Sequence, residues 1–336
     1  MKMKRGWLFY LIEQPLNNAV RGDIIHILGI FEIFQAGETT TMVESLPQLR
    51  DPMADSLPQL RDPIKSIRIG GGKSLIYKIE NEETKKVYAV KITEDRHLYH
   101  YSGTLLTRLA GEENSYTVDV MSLSMVDNKV VMIMEYFPYT LYELIRTSIF
   151  PDLLTRFCLL RLCEGLAYMH ERMIVHTDLS SDNILAAKNL NIKISDMESC
   201  VDLTESKRPL IITKCCHRAP EICQAVGKRE DYKYGPEIDI WALGCVFYEM
   251  LTKSRPFKNT MRYTDFQEEC KQQFYHIHTL LPHVLAKPGL FPADGDKGID
   301  LLTRMLQMRP EKRITAKECL SHPYFDAIKE YVANHK

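Results

Sequence analysis

Asp178, Asn183 and Asp196 are the residues of this chain whose types and spacing best suit a chemical reaction. The first two belong to the run His176-Thr177-Asp178-Leu179-Ser180-Ser181-Asp182-Asn183, and Asp196 follows a short distance downstream. One carboxylate can orient a hydroxyl and take its proton. An amide oxygen and a second carboxylate can hold Mg²⁺. Together they suit phosphoryl transfer, where positioning and charge stabilisation supply most of the catalysis. A single Asp in such a run is more often a turn or cap residue, so the rest of the chain must supply the framework.

The elements that would position these groups can be read from the pattern around them. Ile174-Val175, Ile184-Leu185-Ala186 and Ile192-Lys193-Ile194 are short apolar runs that predict buried strands. From Ile64 to Phe137 the chain is strand-rich: Ile64 to Ile69, Leu75 to Ile79 and Val87 to Ile92 alternate, with Asn81 to Thr84 as a polar turn. Val130 to Tyr136 predicts another buried strand. From Leu141 the spacing becomes helical, with Leu159, Cys163, Leu166 and Met169 on one face and an apolar helix from Ile238 to Leu251 around Trp241.

The strand-rich part carries its own chemical signals. Gly70-Gly71-Gly72 precedes Lys73-Ser74-Leu75-Ile76-Tyr77, and a glycine turn between strands lets backbone N–H groups approach phosphates. Gly72-Lys73-Ser74 invites a P-loop, but that motif needs a glycine where Ile67 stands. Val87-Tyr88-Ala89-Val90-Lys91 ends an apolar strand on a lysine, followed later by Met132-Ile133-Met134-Glu135-Tyr136-Phe137.

These motifs, in this order, resemble the eukaryotic protein kinases. The resemblance covers residues 64 to about 327 and takes in Thr213 to Glu221, ending Ala219-Pro220-Glu221. It also takes in Asp239-Ile240-Trp241-Ala242-Leu243-Gly244, Arg309-Pro310, Arg313 and His322-Pro323-Tyr324-Phe325. It implies an α+β, two-lobed fold with a small β-rich lobe (64–137), a larger helical lobe (138–327) and nucleotide in the cleft between them. It also implies roles. Asp178 is the base, and Asn183 and Asp196 are the Mg²⁺ ligands. Lys91 contacts the α- and β-phosphates. Gly70, Gly71, Gly72, Tyr77, Ala89, Met134 and the backbone of Glu135 and Phe137 surround ATP. Asp239 braces the catalytic loop, and Arg313 pairs with Glu221. The expected activity is transfer of the ATP γ-phosphate to Ser or Thr of a protein. His176-Thr177-Asp178 is similar to the SR-protein and LAMMER kinases, and His217 to Glu221 to the wider group that includes the cyclin-dependent kinases. That group sometimes autophosphorylates Tyr.

Several positions depart from the family pattern. The glutamate that should pair with Lys91 falls at Leu105 by count; Glu112 and Glu113 are the nearest downstream candidates, Glu94 lies too close, and the partner stays unassigned. Ser180 stands where a lysine steadies the moving phosphate. One cation at about 4 Å is worth roughly 4 kcal/mol at an effective dielectric near 20, before desolvation. Met197-Glu198 stands where Phe-Gly is usual, so a charge lies beside Asp196 and glycine's backbone freedom is lost. Thr177 replaces the arginine that an activation-loop phosphate neutralises, which predicts a segment ordered largely without phosphorylation. A weak or inactive kinase-fold scaffold is the alternative to an active enzyme.

Composition bounds the rest. The 336 residues can bury a proper core, and a net charge of −1 makes no case for nucleic-acid or membrane attraction. Nine cysteines without paired spacing predict reduced thiols and an intracellular address, cytoplasmic or nuclear. Gly6 to Ile12 is at the short limit for a signal peptide, is ended by Glu13 and is followed by no small-residue cleavage site, and Ile24 to Phe34 is too short for a membrane span. Ser45-Leu46-Pro47-Gln48-Leu49-Arg50-Asp51-Pro52 recurs as Ser56 to Pro63, with prolines that forbid a continuous helix. Residues 1–63 therefore read as an extension with a duplicated linker, or a docking motif, and 328–336 as a tail. Neither substrate consensus nor regulatory partner can be read.

Overall fold

The computed structural model describes residues 64–70, 74–81, 85–94, 105–106, 108–109, 114–126, 129–147, 152–187, 191–205, 215–228, 234–257 and 295–334. The extension 1–63 with its repeat, Gly71, Gly72, Glu112, Glu113 and Thr213 lie outside them. The chain divides into two compact units, Met1–Tyr99 with Asp119–Tyr136, and His100–Val118 with Phe137–Lys336. The first is a sheet and the second is largely helical, which is the two-lobed α+β class expected.

The sheet has the order β1-β2-β3-β5-β4. Its strands are β1 Ile64–Gly70, β2 Ser74–Asn81, β3 Val87–Thr93, β4 Val120–Val126 and β5 Lys129–Glu135. Neighbouring strands are all antiparallel. β-branched and aromatic residues at alternate positions commit one face to burial: Tyr88, Val90 and Ile92 of β3 pack with Ile79, Val131 and Ile133. Directly paired residues share a face. Ile76 and Met132 therefore flank Lys91, and Lys78 and Met134 flank Ala89, on the opposite side of the sheet. β4 is a strand that alternation alone did not reveal, because Val120-Met121-Ser122-Leu123-Ser124 mixes small polar and apolar residues on an outer strand.

The helical unit is organised around two buried helices. Helix α2, Asp152–Glu171, follows the shorter α1, Leu141–Thr147, and buries Leu159, Cys163, Leu166 and Met169 in one line. After α3, Pro220–Lys228, comes α4, Glu237–Thr252, which is apolar nearly all round and correspondingly buried from Ile238 to Phe247. Two small sheets carry the loops of interest: β6 Tyr139–Thr140, β8 Ile184–Ala186 and β9 Ile192–Ile194 form one, and β7 Ile174–Val175 pairs with β10 Val201–Asp202 in the other. Gly165 of α2 lets this layer close up, since a Cβ there would lie 3.0 Å from Ile194 Cδ1 and 3.1 Å from Tyr116 Cβ. Helices α5 Gly295–Met305, α6 Ala316–Leu320 and α7 Asp326–Asn334 complete the described part. The last runs across the boundary expected at 327 and buries Ile328.

Candidate active site

The strand register of β8 and β9 brings the chemistry-bearing residues of the helical unit together. Ile184 pairs with Ile194, so the residues just outside that pair, Asn183 and Ser195, face each other. Both the N–H and the hydroxyl of Ser195 donate to the Asn183 carbonyl at 2.9 Å. Asp196 is the next residue. The Asn183 amide nitrogen donates to the Asp178 carbonyl at 2.9 Å and to Asp178 Oδ2 at 3.2 Å, and lies 3.5 Å from Asp196 Oδ2. One carboxylate and one amide oxygen are a donor set that suits Mg²⁺, which keeps waters and takes its other ligands from a substrate's phosphates. Among the described residues no cluster of three His, Cys, Asp or Glu side chains could hold a metal instead.

The loop bearing Asp178 is held from below by α4. Asp239, buried in that helix, accepts the backbone N–H of His176 on Oδ2 at 2.8 Å and that of Thr177 on Oδ1 at 3.0 Å. His170 Nε2 lies 2.9 Å from the same Oδ2. The His176 ring reaches across to the metal-site strand. Its Nε2 is 2.7 Å from the Ser195 carbonyl, which can only accept, so that nitrogen carries a proton and Nδ1 accepts from the Asp178 N–H at 3.3 Å. A buried carboxylate is expensive unless its oxygens are met, and here three donors meet it.

Two non-glycine residues of this site have left-handed backbones, Thr177 and Asp196, both with φ 65°. Glu198, at the place where the resemblance implied a need for glycine, is not among the positive-φ residues. The turn Met197–Ser199 is a short 3₁₀ helix, so Glu198 needs no glycine freedom, and Met197 is buried in the apolar core. The Thr177 hydroxyl donates to the Ser199 carbonyl at 2.6 Å, and Ser199 Oγ donates to Asp196 Oδ2 at 3.1 Å.

In the sheet unit, Ala89, Lys91 and Met134 share one face. Tyr77 does not join them. It pairs with Val90 and packs against the apolar cluster of the other face, because alternation puts successive residues on opposite sides; Ile76, opposite Lys91, takes that place. The sequence signal for Ile76 was its position one residue before Tyr77, which only the register makes decisive. Gly70 ends β1 at a register irregularity. The Glu135 N–H is bonded to the Asp119 carbonyl at 3.1 Å and its side chain accepts the Asp119 N–H at 2.7 Å, so that N–H is not available to a nucleobase. Phe137, which belongs to the helical unit, is buried. Glu94 is exposed and lies 3.9 Å from Lys129. Leu105 is buried in the core of the helical unit and has no charge to offer Lys91.

Residues 65–325 match the sequence profile of the protein kinase domain. The chain belongs to the protein kinase family. It is similar to the serine/threonine-protein kinase cds1 of Schizosaccharomyces pombe, with 33% identity over 50% of this chain and 35% of that protein. It is similar to the human serine/threonine-protein kinase DCLK3, at 28% over 77% of this chain and 39% of that protein. The cell division control protein 2 homolog 2 of Trypanosoma brucei brucei is 27% identical over 77% of this chain and 81% of that protein. Likeness to that protein and to cyclin-dependent kinase 11 of Dictyostelium discoideum agrees with the cyclin-dependent side of the resemblance. The chain spans well under half the length of the first curated relatives it matches.

Around the kinase loop, charged groups that the sequence left unconnected form two clusters. Arg108 pairs with Asp202 and also donates to the Arg172 carbonyl, tying the helical turn near Leu109 to β10. Burial works to raise the Asp202 pKa, but hydrogen bonds from Arg108 and Thr204 outweigh it and hold it low. The second cluster centres on Glu249 of α4. Ser181 Oγ donates to Glu249 Oε2 at 2.5 Å, and His217 Nε2 lies 2.9 Å from Oε1. Burial would lower the His217 pKa, yet contact with Cys216 and Glu249 prevails and raises it to about 9. The His217–Glu249 contact is an ion pair, not an aligned hydrogen bond, since neither atom has a partner of good geometry. Arg255 extends the cluster, with Nη2 at 2.9 Å from Asp182 Oδ2 and Nε at 3.7 Å from Glu249 Oε1.

Proposed function

We propose that this chain is an ATP-dependent serine/threonine protein kinase. The observation that carries this is the Asn183 amide, bonded to the Asp178 carboxylate and 3.5 Å from that of Asp196. Asp178 orients the acceptor hydroxyl and takes its proton as oxygen attacks the γ-phosphorus. Asn183 and Asp196 would hold Mg²⁺, which when bound neutralises the charge that builds on the phosphates. Lys91 contacts the phosphates from β3. Gly70, Gly71 and Gly72 approach them by backbone, and Ala89, Met134, the Glu135 carbonyl and Phe137 contact the base. The acceptor is a protein Ser or Thr, with neither nucleic acid nor membrane as partner. Among the described residues no helix is long and apolar enough to cross a membrane. The described cysteines are free thiols, which favours a reducing compartment, cytoplasmic or nuclear.

A second reading, a weak or inactive kinase-fold scaffold, is favoured by the buried Leu105 and by Ser180 in place of a lysine. Transfer of labelled phosphate from ATP with Mg²⁺ to a Ser-rich or basic protein separates the two. Wild type should transfer, and Asp178→Asn should fall by at least about 10²-fold. Equal residual signal in both proteins would overturn the enzyme in favour of the scaffold.

A further inference from the structure

We propose that Ser199, held in turn by Thr177, is a positioning residue that sets the Asp196 carboxylate for the metal. The inference rests on the kinase function proposed above and goes beyond it, because neither side chain is among the residues that would touch nucleotide or metal.

Asp196 has φ 65° and ψ 43°, a conformation that a residue with a Cβ keeps only where its surroundings over-determine it. The Asn183 amide reaches Asp196 Oδ2 at 3.5 Å, the weak end of hydrogen bonding. Ser199 is closer. Its hydroxyl donates to the same oxygen at 3.1 Å, and its N–H donates to the Asp196 carbonyl at 3.1 Å. One residue thus holds both the backbone turn and the rotation of the carboxylate. A hydroxyl three residues away can do this only while the turn itself stays put.

Thr177 holds the turn. Its hydroxyl donates to the Ser199 carbonyl at 2.6 Å, and its own N–H is bonded to Asp239 Oδ1 at 3.0 Å. Bonds therefore run unbroken from buried α4 through Thr177 and Ser199 to Asp196. The arrangement also answers the charge of Glu198. A donor hydroxyl on Asp196 Oδ2 offsets a second carboxylate two residues on in sequence. Supports of this kind around a metal ligand, when removed, typically weaken metal binding by about 10–100-fold.

The test uses the full chain, its nucleotide site loaded with a non-hydrolysable ATP analogue, and Mn²⁺ as the spectroscopic probe. Free Mn²⁺ is followed by electron paramagnetic resonance. Ser199→Ala should weaken Mn²⁺ binding by about tenfold, with the unfolding midpoint and analogue binding without metal unchanged. In turnover it should raise the KM for Mg²⁺ more than it lowers kcat. Ser199→Thr keeps the hydroxyl and should restore binding. Thr177→Val should weaken binding in the same direction, and the double variant should be no worse than Ser199→Ala alone. Wild-type Mn²⁺ affinity in Ser199→Ala overturns the proposal while leaving the kinase function standing, as does a Ser199→Thr variant as weak as the alanine. A wild-type chain that neither binds Mn²⁺ nor transfers phosphate removes both.

Discussion

Arg313 and Glu221 meet as a two-pronged ion pair inside the helical unit, Nη1 to Oε1 at 2.7 Å and Nη2 to Oε2 at 3.0 Å. The guanidinium is wholly buried, lies over the Trp241 ring, and donates further to the carbonyls of Glu237 and Gln307. Removing one partner of such a pair strands the other charge away from water, at a cost of about 3–5 kcal/mol. Glu221→Ala is expected near the lower end, because two carbonyls remain on Arg313. Urea denaturation measures it; a loss under about 1 kcal/mol would mean that the pair contributes little to stability.

Asp239 accepts the backbone N–H groups of His176 and Thr177, and through them it would act on the proposed reaction. Asp239→Asn turns one acceptor oxygen into a donor that faces another donor. The loop carrying Asp178 should shift, and a displacement of about 1 Å can cost about 10²-fold in rate. We expect kcat to fall by that order with ATP binding nearly retained. An unchanged kcat would show that the loop keeps its place without the carboxylate.

Thr177 meets the Ser199 carbonyl with a neutral hydroxyl, so no cation at this position calls for a phosphate. The segment from Asp196 to Glu205 is also tied by Arg108 to Asp202. Phosphatase treatment should leave transferase activity within about twofold of untreated enzyme. Abolition of activity by the phosphatase would contradict this.

His217 links stability to pH. Its pKa in the folded chain, about 9, lies above its ordinary value of 6.5, so folding favours the charged ring. The groups facing it are Glu249 on α4 and the Cys216 thiol, with Arg255 and Ser181 also on Glu249. The contribution is therefore fully present below about pH 6.5 and is lost as pH rises through about 9. Its slope approaches about 1.4 kcal/mol per pH unit between those limits. Unfolding midpoints of wild type and His217→Gln, compared from pH 6 to 9.5, should converge as pH rises. A constant difference across that range would rule the linkage out.

Asp178, Asn183 and Asp196 could be found in the sequence because their meeting is nearly local. A loop, two three-residue strands and one register pair, Ile184 with Ile194, suffice to join them. Asp239 and the Arg313–Glu221 pair were legible from resemblance, not from pattern. The face that Tyr77 takes was not legible because a strand's faces alternate each residue, and only its pairing with Val90 of β3 decides which one it is. β4 was hidden because an outer strand of mixed small polar and apolar residues leaves weak periodicity.

From residue types alone came the expectation of phosphoryl transfer, the succession of a sheet and then helices, and three polar groups that the fold brings within reach of one another. These depend on short-range periodicity and on spacing within one loop. The left-handed turns at Thr177 and Asp196, the Thr177–Ser199–Asp196 bonds, and the joining of His217, Glu249, Ser181 and Arg255 were settled only by tertiary structure. They depend on backbone torsions and on side chains far apart in the chain, and a hydrogen bond of 2.6 Å leaves no tolerance that sequence spacing could express.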